Sequence, residues 1–236
     1  MKILITGGSH VVALNQGFNR LKQSGEVPSS LEFRVRPLGG GLSVARKFFR
    51  PCDDHVEITH QKFRAKFRRI PPAGVTYDVV ALSTALYSRP VWNKTDWAVY
   101  GIPGFAKDRI LISNSMLRRA ILDDNKYIIA FLGHLRTFGI KVCVVEGPRP
   151  FRHNIEVRRT GTNLVNHIDS LYRSLTHEIL LREGIPVVSV PDTAFDEDGF
   201  MLEKYRHKNP KDKTHGNVDF GLLMMQQINR LMQQLL

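Results

Sequence analysis

Five short apolar runs punctuate the chain, and most of the intervening sequence carries apolar residues at helical spacing. The runs are KILIT (2–6), EFRVRPLGGG (32–41), YDVVALS (77–83), IKVCVVEGP (140–148) and IPVVSVP (185–191), and the helical segments are 11–25, 113–139, 162–184 and 216–235. Strands that are apolar along most of their length belong to sheets covered on both faces, and helices between them supply parallel crossovers. The pattern predicts a three-layer α/β/α domain around a five-stranded parallel sheet. Val11, Leu14, Phe18 and Leu21 share one face of the first helix, with Gly25 suited to its stop. Val218, Leu222, Met225, Ile228 and Met232 lie near one face of the last. With 236 residues and 42% hydrophobic content, the chain has enough apolar material for a single packed domain spanning 1–236.

Residues 51–76 break this rhythm and read as a basic inserted segment. In QKFRAKFRRI, Phe63, Ala65 and Phe67 alternate with Arg64, Lys66 and Arg68, the pattern of a half-buried strand with one apolar and one cationic face. Val56 and Ile58 have the opposite parity, which puts a turn or bulge near His60, so the segment is expected to add a β-hairpin to the main sheet. Residues 31–70 hold ten Lys/Arg against four Asp/Glu, +6 of the chain's +12. Such a field attracts anions. Two readings stay open: the three cations steer an anionic substrate, or they are a solvated face. The segment's five phenylalanines (Phe33, Phe48, Phe49, Phe63 and Phe67) keep a polyanion-binding module in view, with nucleic acid the less favoured ligand.

Two cysteines, Cys52 and Cys143, make no disulfide framework, and Cys143 reads as a small buried residue. The apolar stretch in MKILITGG is too short for a signal peptide, and no window reaches the roughly 18–20 apolar residues of a transmembrane helix. A cytoplasmic protein without a transmembrane segment is expected. The histidines show no metal-ligand spacing, so no metal and no other cofactor is expected.

In open parallel sheets, functional residues gather beyond the carboxyl ends of the strands. Ser9 stands there, in GGSHVVAL, at the start of the first helix, where backbone N–H groups favour negative charge. It is either a nucleophile whose own N–H faces a developing oxyanion or a helix cap. No P-loop lysine follows, no G-x-G-x-x-G is present, and Val11 stands where a G-x-S-x-G elbow needs glycine. Near the other end, DKTH (212–215) sets Asp212 three residues before His215, ahead of the last helix. Alone, that spacing fits a polar helix start as well as an acid–histidine pair. Taken together, Ser9, His215 and Asp212 supply the nucleophile, base and orienting carboxylate of a Ser–His–Asp relay. His10 beside Ser9, and Glu146 and Arg149 after the fourth strand, are candidate substrate contacts.

These two blocks resemble the SGNH/GDSL hydrolases, which carry Gly-Asp-Ser near the amino terminus and Asp-x-x-His before the final helix. Here the blocks are GGSH (7–10), with Gly8 in place of the aspartate, and DKTH followed by Gly216 and Asn217. The resemblance implies a flavodoxin-like α/β/α fold and hydrolysis of acyl esters by Ser9, His215 and Asp212. The acyl group is expected to be O-acetyl on a small molecule or a carbohydrate; O-acetyl transfer would use the same residues. It also implies an oxyanion hole shared by the N–H groups of Ser9 and one glycine of PLGGG, among which Gly40 is preferred over Gly39 and Gly41. The chain departs from the family after the third strand, where ALSTALYSRPVWN lacks the Gly-x-Asn whose side chain donates to the oxyanion. Thr84, Ser83 and Asn93 are the candidate replacements, and loss of one such donor slows catalysis roughly 100–1000-fold.

Overall fold

The computed structural model describes residues 1–39, 46–105 and 108–235. In chain order its elements are β1 (Lys2–Gly7), α1 (Val11–Gln23), β2 (Glu32–Val35), β3 (Phe49–Pro51), β4 (Val56–Ile58), α2 (Gln61–Arg64) and β5 (Arg69–Ile70). They continue with β6 (Val79–Ser83), α3 (Arg89–Lys94), β7 (Tyr100–Gly101), β8 (Ile110–Leu111), α4 (Asn114–Thr137) and β9 (Lys141–Val145). The last are α5 (Ile155–Thr160), α6 (Thr162–Arg182), β10 (Val187–Val188) and α7 (Val218–Gln234).

The main sheet has five parallel strands in the order β2-β1-β6-β9-β10, the arrangement the apolar runs predict. Because successive side chains alternate across a strand, the continuous apolar runs feed two cores at once. Ile3, Ile5, Val79, Ala81, Cys143 and Val145 share a core with Leu14 and Leu21 of α1 and with Met224, Met225, Ile228 and Met232 of α7. Leu4, Val80, Leu82, Val142 and Val144 share the other with Phe131, Leu132 and Leu135 of α4 and Leu180 of α6. The helix starts match the sequence as well. Ser113 accepts a hydrogen bond from the Met116 N–H at 3.2 Å, and Asn217 caps α7 by accepting from Asp219 and Phe220. Among the described residues, no helix is long and apolar enough to cross a membrane.

The basic segment holds a hairpin, but not the expected one: β3 pairs with β4 across a turn before Val56, and with β5 they form a separate three-stranded antiparallel sheet and not an addition to the main one. The strand expected across 61–68 is not there. Gln61–Arg64 is one turn of helix, and the chain turns through 65–68 before β5. Phe63 and Phe67 are buried, whereas Ala65 is exposed with Arg64, Lys66 and Arg68. The two phenylalanines are four apart, which suits a helical turn as well as it suits alternation. Their rings decide the matter by filling the core beside α4, where Phe63 lies 5.9 Å from Phe48.

Candidate active site

At the end of β1 the backbone of Gly7 has φ +138, and a Cβ there would sit 2.5 Å from the carbonyl oxygen of Ser83. Only glycine fits this turn. Gly8 then donates its N–H to the same carbonyl at 3.0 Å, which fixes Ser9 beyond the ends of β1 and β6. Ser9 is not the helix cap. The capping position falls on His10, whose side chain makes no capping bond. The Ser9 hydroxyl instead lies 2.6 Å from Nε2 of His215, and Nδ1 of that ring lies 2.8 Å and 2.9 Å from the two carboxylate oxygens of Asp212. An ionised carboxylate only accepts, so the ring's proton belongs on Nδ1 and Nε2 is left to accept from serine.

Asp212 also accepts the N–H groups of Thr214 and His215, at 3.1 Å and 3.0 Å. Burial works to raise its pKa, but those backbone bonds and the His215 ring outweigh it and hold the carboxyl below its usual range. The loop carrying the pair is stapled on both sides. His207 donates its N–H to the His215 carbonyl at 2.9 Å, and Asn217 donates its N–H to Tyr205 at 2.8 Å.

What brings this loop to Ser9 is a helix contact that sequence reading passed over. Helices α1 and α7 meet backbone to backbone at two glycines: a Cβ on Gly221 would lie 1.8 Å from the Ala13 carbonyl oxygen, and one on Gly17 would lie 2.1 Å from the Gly221 carbonyl carbon. Arg20 and Asp219 pair across the same seam at 2.7 Å. Ser9 precedes one helix and His215 precedes the other, so the seam sets their separation. The signal was available as an isolated glycine inside each helical pattern, a residue that marks close approach of another backbone.

His10 packs against the pair, its ring 4.8 Å from His215 and 5.2 Å from Tyr87. Burial first, and the neighbouring His215 second, push its pKa down to about 3, so it is neutral near pH 7. Thr84 follows β6 directly, and its buried hydroxyl has no hydrogen-bond partner among the described residues. Neither Ser9 nor Thr84 is thus committed elsewhere: no hydrogen bond between described residues uses the Ser9 N–H. Arg149 lines a small cavity of about 20 Å³ with Tyr87, Arg89 and Thr214.

Other candidates are placed differently. Glu146 is used internally, accepting from the Val190 N–H at 2.8 Å, contacting His177 at 2.8 Å and facing Arg173 at 3.5 Å, so it offers little to a substrate. Asn93 is exposed on α3 and lines a separate cavity with Trp97 and Arg159, away from the wall that Ser9 shares with Gln16 and His207. The loop after β6 turns into α3 at Ser88, which carries Asn93 outward. Gly40 and Gly41 lie outside the described residues. Gly39 is committed, its N–H donating to Gly7 at 3.2 Å and its absent side chain leaving room for the Phe63 ring. Cys143 is fully buried and its thiol is pushed up to about 12, which makes it inert. Among the described residues no group of three or more His, Cys, Asp or Glu is placed to hold a metal ion.

Neither a protein-family model nor a curated protein matches the sequence. Solved structures do match in fold. An acetyl xylan esterase superposes with a TM-score of 0.53 at 15% identity, covering 98% of this chain and 99% of its own. A carbohydrate acetylesterase family member from Sinorhizobium meliloti gives 0.52 at 11%, covering 99% and 98%. A member of the lipolytic protein G-D-S-L family from Veillonella parvula gives 0.51 at 10%, covering 99% of each chain. The chain therefore has the fold of the SGNH/GDSL hydrolases over nearly its full length.

Proposed function

We propose that the protein is a serine hydrolase of acyl esters, with O-acetyl groups on a carbohydrate as the substrate class. The observation that carries the reading is the unbroken chain of contacts from Ser9 through His215 to Asp212. Ser9 attacks the ester carbonyl while His215 Nε2 takes its proton; Asp212 holds the ring in the tautomer that leaves Nε2 free and stabilises the imidazolium that forms. The alkoxide departs with the proton from His215, and water then releases the acyl group from Ser9 by the same route in reverse.

The oxyanion is received by the Ser9 N–H and, in place of an asparagine amide, by the Thr84 hydroxyl. Among the described residues neither donor has a partner, and preorganised donors of this kind supply the largest electrostatic share of such catalysis. The whole chain works as one domain, and the basic segment is an insertion beside the site. The folds of the acetylesterases described above support the acetyl assignment. Transfer to a sugar hydroxyl would use the same three side chains; free acetate as the product identifies hydrolysis.

The test is hydrolysis of p-nitrophenyl acetate and of acetylated sugars by the wild-type protein and by Ser9→Ala. Wild type is expected to release acetate, and Ser9→Ala to fall to background. Turnover that survives in Ser9→Ala at the wild-type rate would refute the reading.

A further inference from the structure

A second feature stands beside the site. The small cavity that Arg149 lines, about 20 Å³ of enclosed space opening to solvent, is built from three separate places: Arg89 at the start of α3, Arg149 after β9, and Lys213 from the loop that carries Asp212 and His215. Arg173 of α6 forms part of its wall, and no carboxylate lines it. Three of these four cations are already matched. Arg89 binds Glu156 through two nitrogens, at 2.8–3.2 Å, and Lys213 faces the same carboxylate at 3.8 Å. Arg173 is held by Asp169 at 2.9 Å and faces Glu146 at 3.5 Å.

Arg149 is different. Among the described residues no carboxylate forms an ion pair with it; its guanidinium stacks on the Phe195 ring at 4.1 Å, and its buried Nε has no hydrogen-bond partner. Burial first, and the charge of Arg173 second, work against its protonated form, while Asp169, Glu146 and Asp192 act in its favour without pairing with it. A partly buried guanidinium that stays charged without a carboxylate is a donor set awaiting an acceptor, and its planar fork matches an oxyanion. Tyr87 gives the cavity one apolar wall, and the buried Trp92 closes it behind. Tyr87 packs against His10, which packs against His215, so a chain of three rings links the cavity to the hydroxyl of Ser9.

We infer that this cavity is a carboxylate subsite, and that the preferred substrate is an acetyl ester on a sugar acid whose carboxylate binds Arg149. The inference rests on the hydrolase reading for the ester, but the subsite itself does not depend on turnover. Arg149 is a specificity residue in this account, and takes no part in the bond-breaking step.

Two measurements test it. The first compares kcat/KM for an O-acetylated methyl glucuronoside with that for its carboxyl methyl ester, the same molecule without the charge. Wild type is expected to favour the acid by about tenfold, a charge-assisted hydrogen bond's worth of discrimination. Arg149→Met should bring the ratio near one, and Arg149→Lys should keep part of it. The second uses calorimetry on Ser9→Ala with unacetylated methyl glucuronoside, its methyl ester and inorganic phosphate. The glucuronoside should bind about tenfold tighter than the ester, and Ser9→Ala with Arg149→Met should lose that difference. Absence of acid preference in both measurements, an undiminished preference in the Arg149→Met proteins, or tighter binding of phosphate than of glucuronoside would overturn the subsite. Arg149-dependent glucuronoside binding without any ester turnover would instead uphold the subsite and remove the hydrolase reading.

Discussion

The seam between α1 and α7 and the basic segment between β2 and β6 contrast in what holds them. At the seam, backbone meets backbone at Gly17 and Gly221, and the two helices lead out of Ser9 and His215, which lie 2.6 Å apart. In the basic segment, Phe48, Phe49, Phe63 and Phe67 anchor a small sheet to α4, while Arg64, Lys66 and Arg68 stand in solvent. At the seam Arg20 is matched by Asp219 from the partner helix; in the basic segment Arg64, Lys66 and Arg68 are exposed and no carboxylate among the described residues pairs with them. Cations close in sequence therefore mark a solvated surface here, and the ones that shape a cavity come from different loops.

If the triad region carries the chemistry, the largest effects belong to its side chains. His215→Ala is expected to lower kcat on p-nitrophenyl acetate on the order of 10⁶-fold, and Asp212→Ala on the order of 10⁴-fold, because the ring keeps its base without its orienting partner. Steady-state kinetics with both variants check the ranking, and an Asp212→Ala protein slower than His215→Ala would break it.

The seam itself comes next. Gly221→Ala places a methyl group 1.8 Å from the Ala13 carbonyl, so the helices must part. A displacement of about 1 Å at the reacting atoms is worth roughly 100-fold in rate, and overpacking of this kind destabilises by about 1–3 kcal/mol. Gly133→Ala in α4 is the matched comparison, since nothing lies within 4 Å of its Cβ position. It should stabilise by about 0.5–1 kcal/mol, as a helical glycine gives up its excess chain entropy. Denaturant melts and kinetics on both proteins separate a general effect of replacing helical glycine from the seam's own.

A pH-dependent effect, absent near pH 7, follows from His10. Its pKa in the fold, about 3, lies below its ordinary 6.5, so the unfolded chain binds more protons between those values. Stability is therefore expected to fall as pH drops from 6.5 toward 3, with this one group contributing at most about 1.4 kcal/mol per pH unit. His10→Phe should flatten that acid limb whatever it does to stability at pH 7, and unfolding melts across the window measure it. A limb of unchanged slope would mean that carboxylates such as Asp212 account for it.

The basic segment should give the least. Reversing Arg64, Lys66 and Arg68 to glutamate is expected to change stability by about 0.5 kcal/mol or less per site and to leave turnover of p-nitrophenyl acetate unchanged. With an anionic ester at low salt, any loss from weaker steering should vanish as salt screens the field. A large loss on the neutral ester would place this segment in the site after all.

The contrast also explains what the sequence made legible. The five strands and four long helices could be read because their apolar patterns serve two cores through strict alternation or a single helical face. Ser9, Asp212 and His215 could be read because strand ends and a helix start fix where such residues must sit. Phe63 and Phe67 misled because a spacing of four fits both periods, and only the position of α4 decides between them. Gly17 and Gly221 were visible as residues but not as a pair, since nothing local says that two helices 200 residues apart share an axis of contact. Arg173 and Glu146 form their buried network across α6, β9 and β10, a grouping that only the tertiary fold makes.

The central claim is that Ser9 is an activated nucleophile, and covalent labelling by a fluorophosphonate probe tests it most directly. The probe requires a serine whose proton a neutral histidine can take, the arrangement at 2.6 Å between Ser9 and His215. Intact mass is expected to show one adduct per chain, peptide mapping to place it on Ser9, and Ser9→Ala and His215→Ala each to abolish it. An unlabelled wild-type protein, or an adduct on any other residue, would contradict the account.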